Sequence, residues 1–226
     1  MPRDILARMS LLYTAHVPAG DGPFPAIIPL HGWGANAHDL LGLAPALHGG
    51  RALVLCPQGP VAVPFGNGEY GYGWFPLRVG GPVDVDAFQR AADALRQFVD
   101  QSLQRYPIDP KKVVLAGFSQ GGVMGYELAL REPSRFAGLA ALSTWFPQEL
   151  AETLPKLPEQ EGFPILLIHG TRDDRIAVEK ARESREALRP YGVNITYREV
   201  EMGHEIRPDA LRVVLQWLDG KALKGE

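Results

Sequence analysis

Apolar residues gather along the chain in short runs bounded by glycine or proline, at 11–17, 26–30, 52–55, 113–116, 138–142, 165–168 and 195–200. Runs of this length, rich in Val, Ile and Leu, predict strands. Between 86 and 106 the period changes: Phe88, Ala91, Ala92, Leu95, Phe98, Val99 and Leu103 recur at three- and four-residue spacing, with Arg90, Gln97 and Gln101 between them. That pattern predicts an amphipathic helix, which Pro107 stops. Further helices are expected over 121–131, 177–188 and 208–218, the last opening on Pro208, where a missing N–H costs nothing. The runs VVLA, GLAAL and ILLI are continuously apolar instead of alternating, as required of parallel strands with helices on both faces. The expected fold is a three-layer α/β domain around a mostly parallel sheet. No composition shift divides the chain, so residues 1–226 are read as one domain.

Composition narrows the function. The 226 residues are 46% hydrophobic and 22% charged, enough for a substantial core and too apolar for disorder. Lys+Arg 23 against Asp+Glu 26 leaves a net charge of −3 and no basic stripe, which argues against a nucleic-acid partner and for a small, neutral one. The single cysteine, Cys56, fits a reducing compartment, and the cytoplasm is the expected location. Charges at Arg3, Asp4 and Arg8 interrupt the N-terminal region, and no run approaches ~18 apolar residues, so neither export nor a membrane span is expected.

In open α/β sheets ligands bind at the carboxyl ends of strands, and the chemistry-bearing residues lie there. After VVLA comes Gly117-Phe118-Ser119-Gln120-Gly121, a GxSxG in strand–turn–helix context, for which chance expectation in this composition is roughly 0.07 occurrences. The turn is too tight for side chains at its outer positions, and it leaves the Ser119 hydroxyl at a helix N-terminus. A serine needs an imidazole to take its proton, and chain order Ser–acid–His leaves His204, on the loop after 195–200, as the general base. The orienting acid should follow the run at 165–168, where Asp173 is the first choice and Asp174 the second. His169, just before it, reads as a core residue. Oxyanion donors would be the backbone N–H of Gln120 and that of Trp33, in the H-G-x-G turn His31–Gly34 after 26–30.

These segments together bring a family into view. From LHGWGANAHDL through CPQGP, IDPKKVVLAGFSQGGVM, FAGLAALSTWFP and HGTRDDRIAV to MGHEI, the chain resembles the phospholipase/carboxylesterase family of α/β-hydrolases, which includes bacterial carboxylesterases and acyl-protein thioesterases. The resemblance implies an α/β-hydrolase fold with no large cap domain. It places the nucleophile at Ser119 and the base at His204, favours Trp33 and Gln120 as oxyanion donors, and selects Asp173 over Asp174. The chain departs from the family pattern at Trp74-Phe75-Pro76 and at Ile176-Ala177, so substrate preference transfers less readily than the triad.

The segment 57–82 holds 12 Gly or Pro in 26 residues together with Phe65, Tyr70, Tyr72, Trp74 and Phe75. It is expected to be a long irregular wall or lid of an apolar acyl pocket, with Trp74 and Phe75 as substrate-binding residues and Trp145 on the opposite side. The expected activity is hydrolysis of short- to medium-chain carboxylic esters through an acyl-enzyme. Acyl thioesters or lysophospholipids are the alternatives with the same triad, and a noncatalytic ligand-binding protein is the rival of another class. Nothing in the histidine spacing or glycine pattern calls for a metal or cofactor, and the sequence leaves room for a homodimer.

Overall fold

The computed structural model describes residues 9–66, 68–77 and 84–224. In chain order the elements are β1 (Tyr13–His16), β2 (Phe24–Leu30), β3 (Leu53–Pro57), β4 (Val61–Pro64), β5 (Tyr70–Gly73), α1 (Val85–Arg105), β6 (Ile108–Phe118), α2 (Gln120–Arg131), β7 (Gly138–Leu142), α3 (Gln148–Thr153), β8 (Pro164–Gly170), α4 (Val178–Leu188), β9 (Asn194–Val200) and α5 (Pro208–Trp217). Seven strands form one sheet in the order β1-β3-β2-β6-β7-β8-β9, and β4 and β5 form a separate antiparallel pair. Within the sheet every pair is parallel except β1 with β3.

The continuously apolar strands are explained by two-sided burial. Leu139, Ala141, Ile165 and Leu167 pack with Leu95 and Phe98 of α1 and Val123 of α2, while their chain neighbours Ala140, Leu142, Leu166 and Ile168 pack with Val214 and Trp217 of α5. With period-two side chains, a strand between two helical layers needs an apolar residue at every position. Between α1 and α2 the contact is ionic. Glu127 is fully buried, and one of its oxygens accepts from Arg96 and from Arg131, both at 2.6 Å. Arg96 also reaches Glu132 at 2.7 Å, which ties the two helices together along their solvent edge.

Two features differ from the expected pattern. The segment 57–82 contains the β4/β5 hairpin; Arg78 to Pro82 and Asn67 of that segment lie outside the described residues, as do Arg3, Asp4 and Arg8. Its glycines serve close approach more than irregularity: a Cβ on Gly71 would overlap the carbonyl of Gly34, so the hairpin can lie against the turn that follows β2. The pairing is sealed by Gly34 N–H to Tyr72 O at 2.8 Å and Tyr72 N–H to Ala35 O at 2.7 Å. The other difference is α3, too short to show a helical period in the sequence.

His31, buried at the end of β2, fastens the start of this segment to the sheet. Its Nε2 accepts the Gly59 N–H at 2.9 Å and its Nδ1–H donates to Gly32 O at 2.7 Å. Burial lowers its pKa from the usual value, outweighing the opposing backbone hydrogen bond, so the neutral ring is favoured. Among the described residues no helix is long and apolar enough to cross a membrane.

Two expectations follow. Replacing Arg96 with Leu leaves the buried Glu127 carboxylate with one guanidinium and should cost roughly 2–4 kcal/mol, whereas Arg182→Leu on the exposed face of α4 should cost far less; urea unfolding of both variants measures the difference. For His31, the unfolded imidazole titrates near about 6.5 and the folded one lower, so the unfolded chain binds more protons in between. Its contribution is therefore complete above that pH and is lost as pH falls through the folded pKa. Between pH 7.5 and 5 the wild-type urea midpoint should fall further than that of His31→Gln, whose amide can accept from Gly59 without titrating.

Candidate active site

Only Ser119 separates the last residue of β6 from the first of α2. To reverse the chain in one residue it adopts φ 53° and ψ −122°, a conformation that L side chains rarely take and that costs about 1–3 kcal/mol unless the surroundings hold it. They do. The Ser119 N–H donates to Leu142 O at 2.9 Å and the Thr144 hydroxyl donates to Ser119 O at 2.7 Å. Glycine is needed on both sides: a Cβ on Gly117 would overlap Gly121 O and Gly122, and one on Gly121 would overlap Leu30 O. Close seating of α2 on β2 and β6 thus holds Ser119 at a helix N-terminus, where the first amides point outward and the dipole favours negative charge.

His204 lies on the loop between β9 and α5, with its ring 4.9 Å from that of Phe118. Its Nδ1–H donates to Asp173 Oδ2 at 2.8 Å. Asp173, not its exposed neighbour Asp174, makes this bond. The other Asp173 oxygen accepts the amides of Arg175 at 2.9 Å and Ile176 at 2.8 Å. Burial favours the neutral carboxyl, but the Ile176 amide, the His204 N–H and the Arg175 amide outweigh it and hold the pKa below the usual carboxylate range. An imidazole with Nδ1–H on a carboxylate presents a basic Nε2.

Ser119, His204, Trp33 and Trp145 line one cleft of about 730 Å³, with Leu77 and the charged Asp174, Arg175 and Glu205 on its rim. Beside it runs an apolar groove of about 440 Å³ between α1, α2 and α3, lined by Phe75, Phe88, Val123 and Leu150 and carrying Arg131 and Glu152 farther out. Trp145 borders both.

Of the residues singled out in the sequence, Trp74 takes a different place. It is fully buried, its indole N–H donates to His31 O at 2.9 Å and its backbone N–H to Gln120 Oε1 at 2.8 Å, and it lines neither cavity. An aromatic with both polar handles satisfied inside the core is a brace for the turn after β2, not a substrate wall. Gln120 completes the brace by donating its amide to Phe75 O at 2.7 Å. The sequence reading did not find this brace, nor Thr144, nor the part played by His31. A signal was present: a His-Gly pair directly follows β2, His31-Gly32, and another ends β8, His169-Gly170, and in each the histidine is buried and hydrogen-bonds the loop that follows.

The phospholipase/carboxylesterase family description matches residues 15–221. Acyl-protein thioesterase 1 of Gibberella zeae is 29% identical over 223 residues, covering 89% of this chain and 92% of that protein. Carboxylesterase SOBER1 of Arabidopsis thaliana is also 29% identical, over 77% of this chain and 79% of its own. A carboxylesterase from Mesorhizobium loti, 20% identical, shares the fold with a TM-score of 0.81, covering 95% of this chain and 97% of that one. With a family match across nearly its whole length and the central sheet and elbow described above, the chain belongs to the phospholipase/carboxylesterase family of α/β-hydrolases.

Proposed function

We propose that the protein is a serine carboxylesterase working through an acyl-enzyme. The observation that carries this reading is a single cleft containing Ser119 at the start of α2 and His204 with its Nδ1–H on the buried Asp173. His204 Nε2 takes the Ser119 proton as Oγ attacks the ester carbonyl, and Asp173 keeps the tautomer and stabilises the imidazolium. Negative charge developing on the carbonyl oxygen meets the backbone amides of Gln120 and Trp33. His204 then gives the proton to the departing alcohol or thiol, and water repeats the sequence to release the acid.

The leaving group must lie beside His204, which protonates it. The acyl chain then points the other way, past Trp145 and toward the apolar groove. From Val123 to Arg131 the groove follows α2 for about 12 Å by the helix rise, a length that favours medium chains over acetyl groups. Phe75 and Trp145 keep the acyl-binding role inferred from the sequence, Phe88 and Val123 join them, and Trp74 supports the turn behind.

Ser119→Ala should leave the thermal melt unchanged and lower kcat by several orders of magnitude, down to the residual ~10³–10⁴ over water that binding and the oxyanion hole supply. Covalent labelling by a fluorophosphonate should be lost with it; an unlabelled wild-type enzyme would point to a noncatalytic binding protein. Asp173→Asn should cost on the order of 10⁴ in kcat through the wrong tautomer, and Asp174→Asn far less. A reversed ranking sinks the assignment.

The groove is tested by chain length. At about 0.8 kcal/mol per buried CH₂, Phe88→Ala should lower kcat/KM for p-nitrophenyl octanoate by roughly 10- to 50-fold and leave the acetate much closer to wild type. Parallel losses on both esters in a folded variant would remove the groove from the substrate path. The same pair measured as acyl thioesters shows which leaving atom the cleft prefers.

A further inference from the structure

The triad as usually drawn ends at the carboxylate, but here another imidazole stands behind it. His169, the penultimate residue of β8, is buried, and its Nε2 lies 2.8 Å from Ile176 O and 3.3 Å from Asp173 Oδ2. Both neighbours are acceptors, so this nitrogen carries a proton, which it donates to Ile176 O with the carboxylate oxygen alongside. Oδ2 is also the oxygen that accepts from His204, at 2.8 Å. Ile176 in turn donates its N–H to Asp173 Oδ1 at 2.8 Å. His169 therefore stands beside one carboxylate oxygen and is linked to the other through Ile176.

We propose that His169 is a positioning residue for Asp173, with two effects on the catalytic imidazole. The first is geometric. His169 is in register with Glu199 inside the β8/β9 ladder, so its ring is fixed to the sheet and closes the loop 171–176 around the carboxylate. The second is electrostatic. The Nε2–H edge of His169, 3.3 Å from Oδ2, offsets part of the carboxylate charge that would otherwise act on His204 alone.

This inference rests on Ser119, Asp173 and His204 acting as proposed, and turnover by Ser119→Ala would remove that foundation separately. The test is the pH dependence of kcat/KM for a p-nitrophenyl ester, whose acid limb reports the imidazole of the free enzyme. His169→Leu and His169→Asn lack a donor at the Nε2 position, whereas the longer amide of His169→Gln can supply one. Asp174, Arg175 and Glu205 on the cleft rim, and Glu199 beside His169 on β9, are unchanged in all three variants. The Leu and Asn variants should move the acid limb upward by about half a pH unit, with kcat roughly 10-fold lower and KM little altered. His169→Gln should restore the wild-type limb. If Leu does not fold, as judged by its melt, Asn carries the comparison. An unmoved limb in the folded donor-less variants, or a Gln variant that shifts as far as they do, would overturn the proposal and leave His169 as packing.

Discussion

The structure depends on one constraint, the reversal of the chain within a single residue at Ser119. Its positive φ is unfavourable by itself, and it holds only because α2 sits so close to β2 and β6 that no Cβ fits at Gly117 or Gly121. Packing and chemistry are therefore the same fact here. The contacts that bury Val123, Met124 and Tyr126 in the core also aim the serine and leave the first amides of α2 pointing outward. A looser elbow would relieve the strain and lose the site.

Around that turn, the other elements are held by buried polar groups anchored to strand ends. At β2, His31 receives Gly59 while Trp74 and Gln120 tie the hairpin segment back to the elbow. At β8, His169 stands behind the loop that carries Asp173. Both rings are buried and hydrogen-bonded to backbone, where leaving a donor or acceptor unmade costs more than making the bond gains. Loops held this way are nearly as well determined as the strands from which they leave.

The two cavities differ in chemistry. Charged groups flank His204 on the rim of the cleft, whereas the groove beyond Trp145 is walled by aromatic and aliphatic side chains from three helices. A polar departing group and an apolar acyl chain would each find a compatible side, and His204 is on the polar one. The fold alone does not dictate this division; it arises from α3 and the start of α1 closing over one flank of α2.

The sequence by itself determined the strands and long helices, because two-sided burial writes unbroken apolar runs and one-sided burial writes a helical period. It also singled out Ser119, Asp173 and His204 as candidates, because GxSxG has almost no other physical reading and chain order leaves few partners. The hairpin stayed hidden: Gly71 and Gly73 look like breakers until Gly34 and Trp33 are seen lying against them. From sequence Trp74 reads as substrate wall, because an aromatic in a Gly-rich segment carries no mark of which way it faces. Only tertiary contacts decided that its indole meets His31 O, that Asp173 and not Asp174 meets His204, and that His169 stands behind both. The first two outcomes depend on residues 43 and 31 positions apart in the chain coming within hydrogen-bonding distance, and local pattern holds no record of such distances.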